Sequence, residues 1–215
     1  NQILVNGFIS MQYPVMLALT GTVIIIIIVV AVIVILLLWA LAVYNGLVRK
    51  RQSCKESWSD IDTELKRRHD LIPNLVNTVK GYAAHESGVM EEVTKLRNEA
   101  VQVQDKGPEA RSKVEGQLGA SVDKLIARAE AYPDLKASAN FLELQKELSE
   151  TETRIARSRR FYNSNVREFH NGCQVIPASI IASIGGFKEI EFDFFQVDDV
   201  SERDPVDVKF GDDQS

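Results

Sequence analysis

The stretch Arg67–Tyr82, RRHDLIPNLVNTVKGY, carries apolar side chains at helical steps on both sides of one proline. Inside a helix Pro73 has no N–H for the carbonyl of His69, and its ring crowds that turn, at about 3 kcal/mol. Two readings follow. Asp70 can act as an N-cap, so that Pro73 sits in the first turn of a new helix where no amide bond is required. Alternatively, one continuous helix passes through and kinks at Pro73. The kink is the favoured reading, and under either the role of Asp70 and Pro73 is structural.

Upstream of this stretch, Pro14–Val43 reads PVMLALTGTVIIIIIVVAVIVILLLWALAV and contains no ionisable side chain. About 20 apolar residues suffice to cross a bilayer, so this run exceeds what one span requires. It is apolar on every face, as a lipid-facing helix is. A cleaved secretory signal would have a basic start and a shorter apolar core. Arg49, Lys50, Arg51 and Lys55 follow the run, and no charged residue precedes Arg49. The positive-inside rule therefore puts the C-terminal part in the cytoplasm and the N-terminus outside, with Trp39 and Tyr44 in an interfacial belt. The chain opens on Asn1 rather than Met, so a few residues are expected to be missing from its start.

Downstream, apolar residues recur at three- and four-residue steps: Ile61, Leu65, Ile72, Leu75, Val76, Val79, Tyr82, Val89, Val93 and Leu96. Glu64 with Arg68 and Glu91 with Lys95 are i,i+4 pairs in the favourable order. QDKGPEA breaks the pattern, with Gly107 and Pro108 as stop and start. Val114, Leu118, Val122, Leu125, Ile126 and Ala129 mark a second helix. After a break at Pro133, a third is expected from about Leu135 to Phe169, with Leu142, Leu148, Ile155, Tyr162, Val166 and Phe169 inward. Short connections between long helices imply antiparallel neighbours. A short apolar helix ended by Gly185 and Gly186 and a Phe-rich loop close the body. The fold expected is all-α: one transmembrane helix leading into an antiparallel helical bundle, then a disordered acidic tail. The divisions are 1–13 external, 14–44 transmembrane, 45–196 bundle and 197–215 tail.

The net charge is −5, but it is unevenly placed. The tail holds seven acids and two bases; taking these from the chain's 30 acids and 25 bases leaves 23 of each in the body. A neutral body does not resemble a nucleic-acid binder, which needs a basic stripe. Cys54 and Cys173 give neither a disulfide framework nor a zinc spacing, and Cys54 is expected to be a free thiol in a reducing compartment.

Catalytic and metal patterns are missing. On a straight helix His69 and His85 lie about 160° apart. His85 opens HESGV, which has Val89 where a zincin has its second histidine. The residues three before His69, His85 and His170 are Lys66, Tyr82 and Arg167, so no di-iron Glu-x-x-His is present. SIGGF at Ser183 lacks the lysine of a phosphate loop. No catalytic residue, metal or cofactor is expected. Arg154, Arg157, Arg159 and Arg160 form either a phosphate or lipid-headgroup site or ion pairs with bundle acids such as Asp60, Asp62 and Asp70. Gly81, Gly88, Gly116 and Gly119 allow close helix approach, in the core or between copies.

Three stretches together resemble the LemA family of bacterial membrane proteins: YNGLVRKRQSCKESWSDIDTELKRRHDLIPNLVNTVKGYAAHE, AEAYPDLKASANFLELQKELSETETRIARSRRFYNSNVREF and PASIIASIGGFKEIEFDFF. They cover most of Tyr44–Phe195. The long apolar run, the acidic tail and the FHNGCQVIP stretch depart from the pattern. The resemblance implies a single N-terminal span, a cytoplasmic helical bundle and a place in the bacterial inner membrane; it implies no catalytic mechanism. The function expected is a non-enzymatic, membrane-anchored scaffold that self-assembles. The alternative is an adaptor that docks a protein partner through the tail or the Phe-rich segment. The expected partners are the lipid bilayer and further copies of the chain.

Overall fold

The structure, a computed structural model, describes residues 2–83 and 86–196, with side chains from residue 21 on. The side chains of the segment 1–13, His85 and the acidic tail 197–215 lie outside the described residues. The described elements are α1 (Gln2–Lys80), α2 (Ser87–Gln102), α3 (Pro108–Ala129), α4 (Pro133–Lys136), α5 (Ala139–Gln174) and α6 (Ala178–Ile184), followed by a 3-10 turn at Glu189–Glu191. No strand occurs among the described residues. The chain divides into two compact units: Asn1–Arg49 with Gly172–Lys188, and Lys50–Asn171 with the residues from Glu189 on.

In the first unit α1 is long and apolar enough to cross a membrane, and no part of its membrane-length window is buried. Ile35 is 64% exposed and Leu38 62%. A run of β-branched residues stays helical in lipid because only internal hydrogen bonds can satisfy the backbone there. This part of α1 is the candidate membrane span. At α6 the chain reverses on a Schellman turn. Phe187 N–H donates to Ala182 O at 3.0 Å and Gly186 N–H to Ser183 O at 3.3 Å, with Gly186 at φ +73°. The turn delivers Phe187 to the Tyr44 ring, edge-on at 5.4 Å between centroids.

The second unit is a helical bundle. The contacts give its directions. Glu92 meets Lys124 and Glu86 meets Tyr132, so α2 and α3 run antiparallel. Lys50 meets Glu168 and Glu64 meets Arg154, so α1 and α5 run antiparallel. Asp62 meets Arg111 and Arg68 meets Glu115, so α1 and α3 run parallel. The order is up-down-up-down. Pro108 opens α3 at its first position with Gly107 as the cap residue. The core contains Ile61, Leu65, Ile72, Leu75, Val79, Val93, Leu118, Val122, Leu125, Leu148, Ile155, Tyr162 and Phe169.

Four details differ from the sequence reading. The third long helix does not start at Leu135: a separate turn, α4, occupies Pro133–Lys136, and α5 begins at Ala139. That shift buries Phe141 and leaves Leu142 50% exposed. Tyr82, placed inward by periodicity, is 51% exposed, because α1 ends at Lys80. Asp70 does not cap a new helix, since α1 runs unbroken through Asp70 and Pro73. Arg68 is turned away from Glu64, toward α3 and α5, and Glu64 takes Arg154.

Candidate functional site

The bundle's densest chemistry surrounds Arg68. On α1 the inward register runs Ile61, Leu65, Arg68, Ile72, Leu75 and Val79, at steps of four and three. On α3 it runs Arg111, Glu115, Leu118, Val122 and Leu125. A charged residue therefore occupies a core position on each facing helix, with opposite sign. Arg68 is 3% exposed and Glu115 3%. Arg68 Nη2 donates to the Glu115 carboxylate and, at 3.2 Å, to the Glu115 backbone carbonyl. Its Nη1 donates to Glu152 Oε1 on α5 at 2.6 Å. His69 Nε2 lies 2.9 Å from the other Glu115 oxygen. An ionised carboxylate only accepts, so Nε2 carries the proton.

Burial works against the Arg68 charge, but the carboxylates of Glu152 and Glu115 more than offset it and raise its pKa. Burial also works against the Glu115 charge; the hydrogen bond from His69 and the Arg68 guanidinium win and hold its carboxyl below the usual value. Asp123 goes the other way. Burial and the nearby Glu152 push it up, with Arg68 opposing.

The same network resolves the proline. Arg97 Nε, on α2, donates to the His69 carbonyl at 3.2 Å. That is the acceptor which Pro73, lacking an N–H, leaves without its helical partner. One turn of α1 is thus tied to α2 by Arg97, to α3 by Glu115 and to α5 by Glu152. Pro73 itself is exposed.

A second charged contact joins α1 and α3. Arg111, 2% exposed, donates to Asp62 Oδ1 at 2.7 Å and to Gln104 O at 3.0 Å, and its guanidinium lies 5.0 Å from the Trp58 ring centre. Nearby, the Phe-rich segment is clasped by α5. Asn163 bonds both the N–H and the carbonyl of Phe195, at 2.9 and 3.1 Å. The Tyr162 hydroxyl donates to Asp193 O, and His170 Nε2 meets Phe192 O, each at 2.9 Å.

A groove of about 600 Å³ runs between α1, α3 and α5 over this network. Its charged lining is balanced, with Arg68, Lys113 and Arg159 against Glu115, Asp123 and Glu152. Both Glu115 oxygens are engaged, so the carboxylate offers no open base. The arrangement fixes helix register by paired charge. Another groove, of about 660 Å³, lies along Val76, Met90, Thr94 and Glu99. Among the described residues no three His, Cys, Asp or Glu side chains gather as metal ligands do. Cys54 is fully buried and its thiol is pushed up to about 11, by burial first and by Glu191 and Glu168 next.

The four arginines singled out by sequence do not converge. Arg154 bonds Glu64 at 3.1 Å and lines a small groove with Arg157, Asp60 and Thr63. Arg159 faces the larger groove, its guanidinium 5.6 Å from the Phe195 ring centre. Arg160 is exposed. The acids they meet include Glu64, while Asp62 goes to Arg111. The glycines separate too. A side-chain carbon on Gly119 would touch Arg68 Nη1 at 3.5 Å, and Gly116 lines the same groove. Gly81 and Gly88 are exposed, and Gly88 has open space beside it, so neither brings two helices of this chain together. Glu115, Glu152, Asp123 and Arg97 were not singled out. For Glu115 the signal was there: a carboxylate one step ahead of Leu118, Val122 and Leu125 in the same 4-3-4-3 register. For the other three the positions are ordinary surface positions of their own helices.

Comparison with known proteins adds a family. The LemA family profile matches residues 57–210. The magnetosome protein MamQ of Magnetospirillum gryphiswaldense is 23% identical over 173 residues, covering 69% of this chain and 64% of that protein. MamQ 2 of Paramagnetospirillum magneticum is 24% identical over the same shares. The protein LemA of Metamycoplasma hominis is 28% identical over 130 residues, covering 59% of this chain and 58% of its own length. The match thus spans less than two thirds of the length of these relatives.

Proposed function

The chain belongs to the LemA family, and on that premise we propose that it is a non-enzymatic, membrane-anchored protein that self-assembles into a homo-oligomeric scaffold on the bacterial inner membrane. The observation that carries the reading is α1 between Val23 and Leu41, apolar on every face and uncovered by protein. The apolar run exceeds the roughly 20 residues that a lone span needs, which suits lateral packing against further copies. Gly81 and Gly88, exposed and with no other helix against them among the described residues, are open to a neighbouring copy. The charged groups of the bundle support a structural role, because Arg68, Arg111, Glu115 and Glu152 bind helices to one another.

The basic cluster after the span supports a cytoplasmic bundle with the N-terminus outside. Phe195, 1% exposed and clasped by Asn163, counts against docking through that residue in the adaptor reading. Native mass spectrometry of the full chain in lipid nanodiscs, with protease protection in sealed inverted vesicles, tests the proposal. It predicts several copies per particle and a protease-accessible bundle. A single copy at every protein-to-lipid ratio, or a protected bundle, would refute it.

A further inference from the structure

The first unit leaves a second apolar surface uncovered. Val175 and Ile176 lead into α6, and Ile180 and Ile184 lie one turn apart on it, i and i+4. They are 59%, 80%, 58% and 80% exposed, in a helix whose opposite side buries Ala182 at 2%. Four large aliphatic side chains this exposed within ten residues mark an interaction surface.

What covers them follows from where α6 is held. Its Schellman turn needs both glycines. Gly186 takes a positive φ, and a side-chain carbon on Gly185 would stand 2.8 Å from the Phe187 ring. The turn presses Phe187 onto Tyr44, at the end of the apolar run Pro14–Val43. Ile184 is three residues from Phe187, a reach of at most about 11 Å. The isoleucine face is therefore close to the level at which α1 leaves the hydrocarbon. Lys188 follows Phe187 directly in the chain, and Arg49 is exposed in the same unit. An apolar face in a unit that exposes cations suits a helix lying in a bilayer surface containing anionic lipid.

We propose that α6, with Val175 and Ile176, is a second membrane contact, lying in the interfacial layer of the bilayer that α1 crosses. This rests on the anchor reading above. Its ligand is the lipid surface, and the Tyr44–Phe187 contact fixes it beside the span.

Depth-dependent quenching tests this on the full chain in nanodiscs holding one copy, made with phosphatidylethanolamine and phosphatidylglycerol. In a Cys173→Ser background a fluorophore is attached at Ile184→Cys, at Ile33→Cys in the span, or at the exposed Lys146→Cys on the bundle; buried Cys54 stays unlabelled. Spin labels high on the acyl chain should quench position 184 severalfold more than position 146, and labels deep in the chain should quench position 33. Adding Ile180→Asp, at an exposed site that leaves the fold intact, should reduce the quenching at 184. Quenching at 33 with none at 184 would overturn the inference and leave the anchor standing. Absence of quenching at 33 would overturn the anchor itself. Quenching at 184 that is absent from one-copy discs, with the probe instead shielded from aqueous iodide only in discs holding two copies, would assign the face to self-association and also overturn the inference.

Discussion

Arg97→Ala tests the reason for Pro73. Arg97 Nε reaches the His69 carbonyl at 3.2 Å, and Pro73 supplies no N–H to that carbonyl. Removing the side chain strands an acceptor in a partly buried site, which costs about 1–3 kcal/mol. Arg97 is half-buried and water can reach part of the site, so the lower half of that range, about 1–2 kcal/mol, is expected. In a Pro73→Ala background the helical N–H returns to the same carbonyl, and the cost of Arg97→Ala should fall to about 0.5 kcal/mol or less. The coupling between the two positions is then about 1 kcal/mol, and Pro73→Ala alone should stabilise the bundle, since an interior proline costs up to about 3 kcal/mol against alanine. The assay is urea unfolding of the full chain in a mild detergent, followed by circular dichroism, for the four members of the cycle. Equal losses on Arg97→Ala in both backgrounds would refute the reasoning and reduce Arg97 to a packing residue.

Three further outcomes are expected. Glu115→Ala leaves Arg68 buried with one carboxylate and should destabilise the bundle by about 3–5 kcal/mol, whereas replacing Arg68 and Glu115 together by Met and Leu should cost far less; thermal melts distinguish the two. The Glu115 carboxyl is held below its ordinary 4.5 in the fold, so its contribution to stability is present above pH 4.5 and is lost as pH falls through the lower folded value. Asp123, raised above 3.8, acts in the opposite sense and blunts that loss, so urea midpoints between pH 3 and 5 should fall less steeply in Glu115→Gln and more steeply in Asp123→Asn. Cys54, with its thiol pushed up to about 11, should resist alkylation at pH 8 in the folded chain while half-buried Cys173 reacts, and both should react in urea; mass spectrometry of the labelled sites checks this.

The helices were legible because their apolar residues repeat at steps of three and four, and the anchor because nothing in it is charged. Helix starts were legible where Gly107–Pro108 marked them. The α4–α5 junction was not, because no glycine marks Ser138 and the register slips by one, from Leu142 to Phe141. The network was half legible. Arg68 stands inside an apolar register and Glu115 at the head of one on a separate helix, and opposite charges at core positions call for one another. Nothing local pointed Arg97 at His69 O or Glu152 at Arg68, since such pairings depend on which helix faces which. Of the α5 arginines, Arg154 takes the ion-pair alternative with Glu64 and Arg159 faces the larger groove, because four cations within seven residues face several directions on a helix.

Particle size tests the central claim most directly: the full chain extracted gently from membranes and imaged by electron microscopy, beside the same protein in native vesicles. Self-assembly predicts rings, cages or other repeating particles in both preparations, with contacts through the span or through the faces bearing Gly81 and Gly88. Single bundles in mild detergent and isolated copies in the membrane would contradict it.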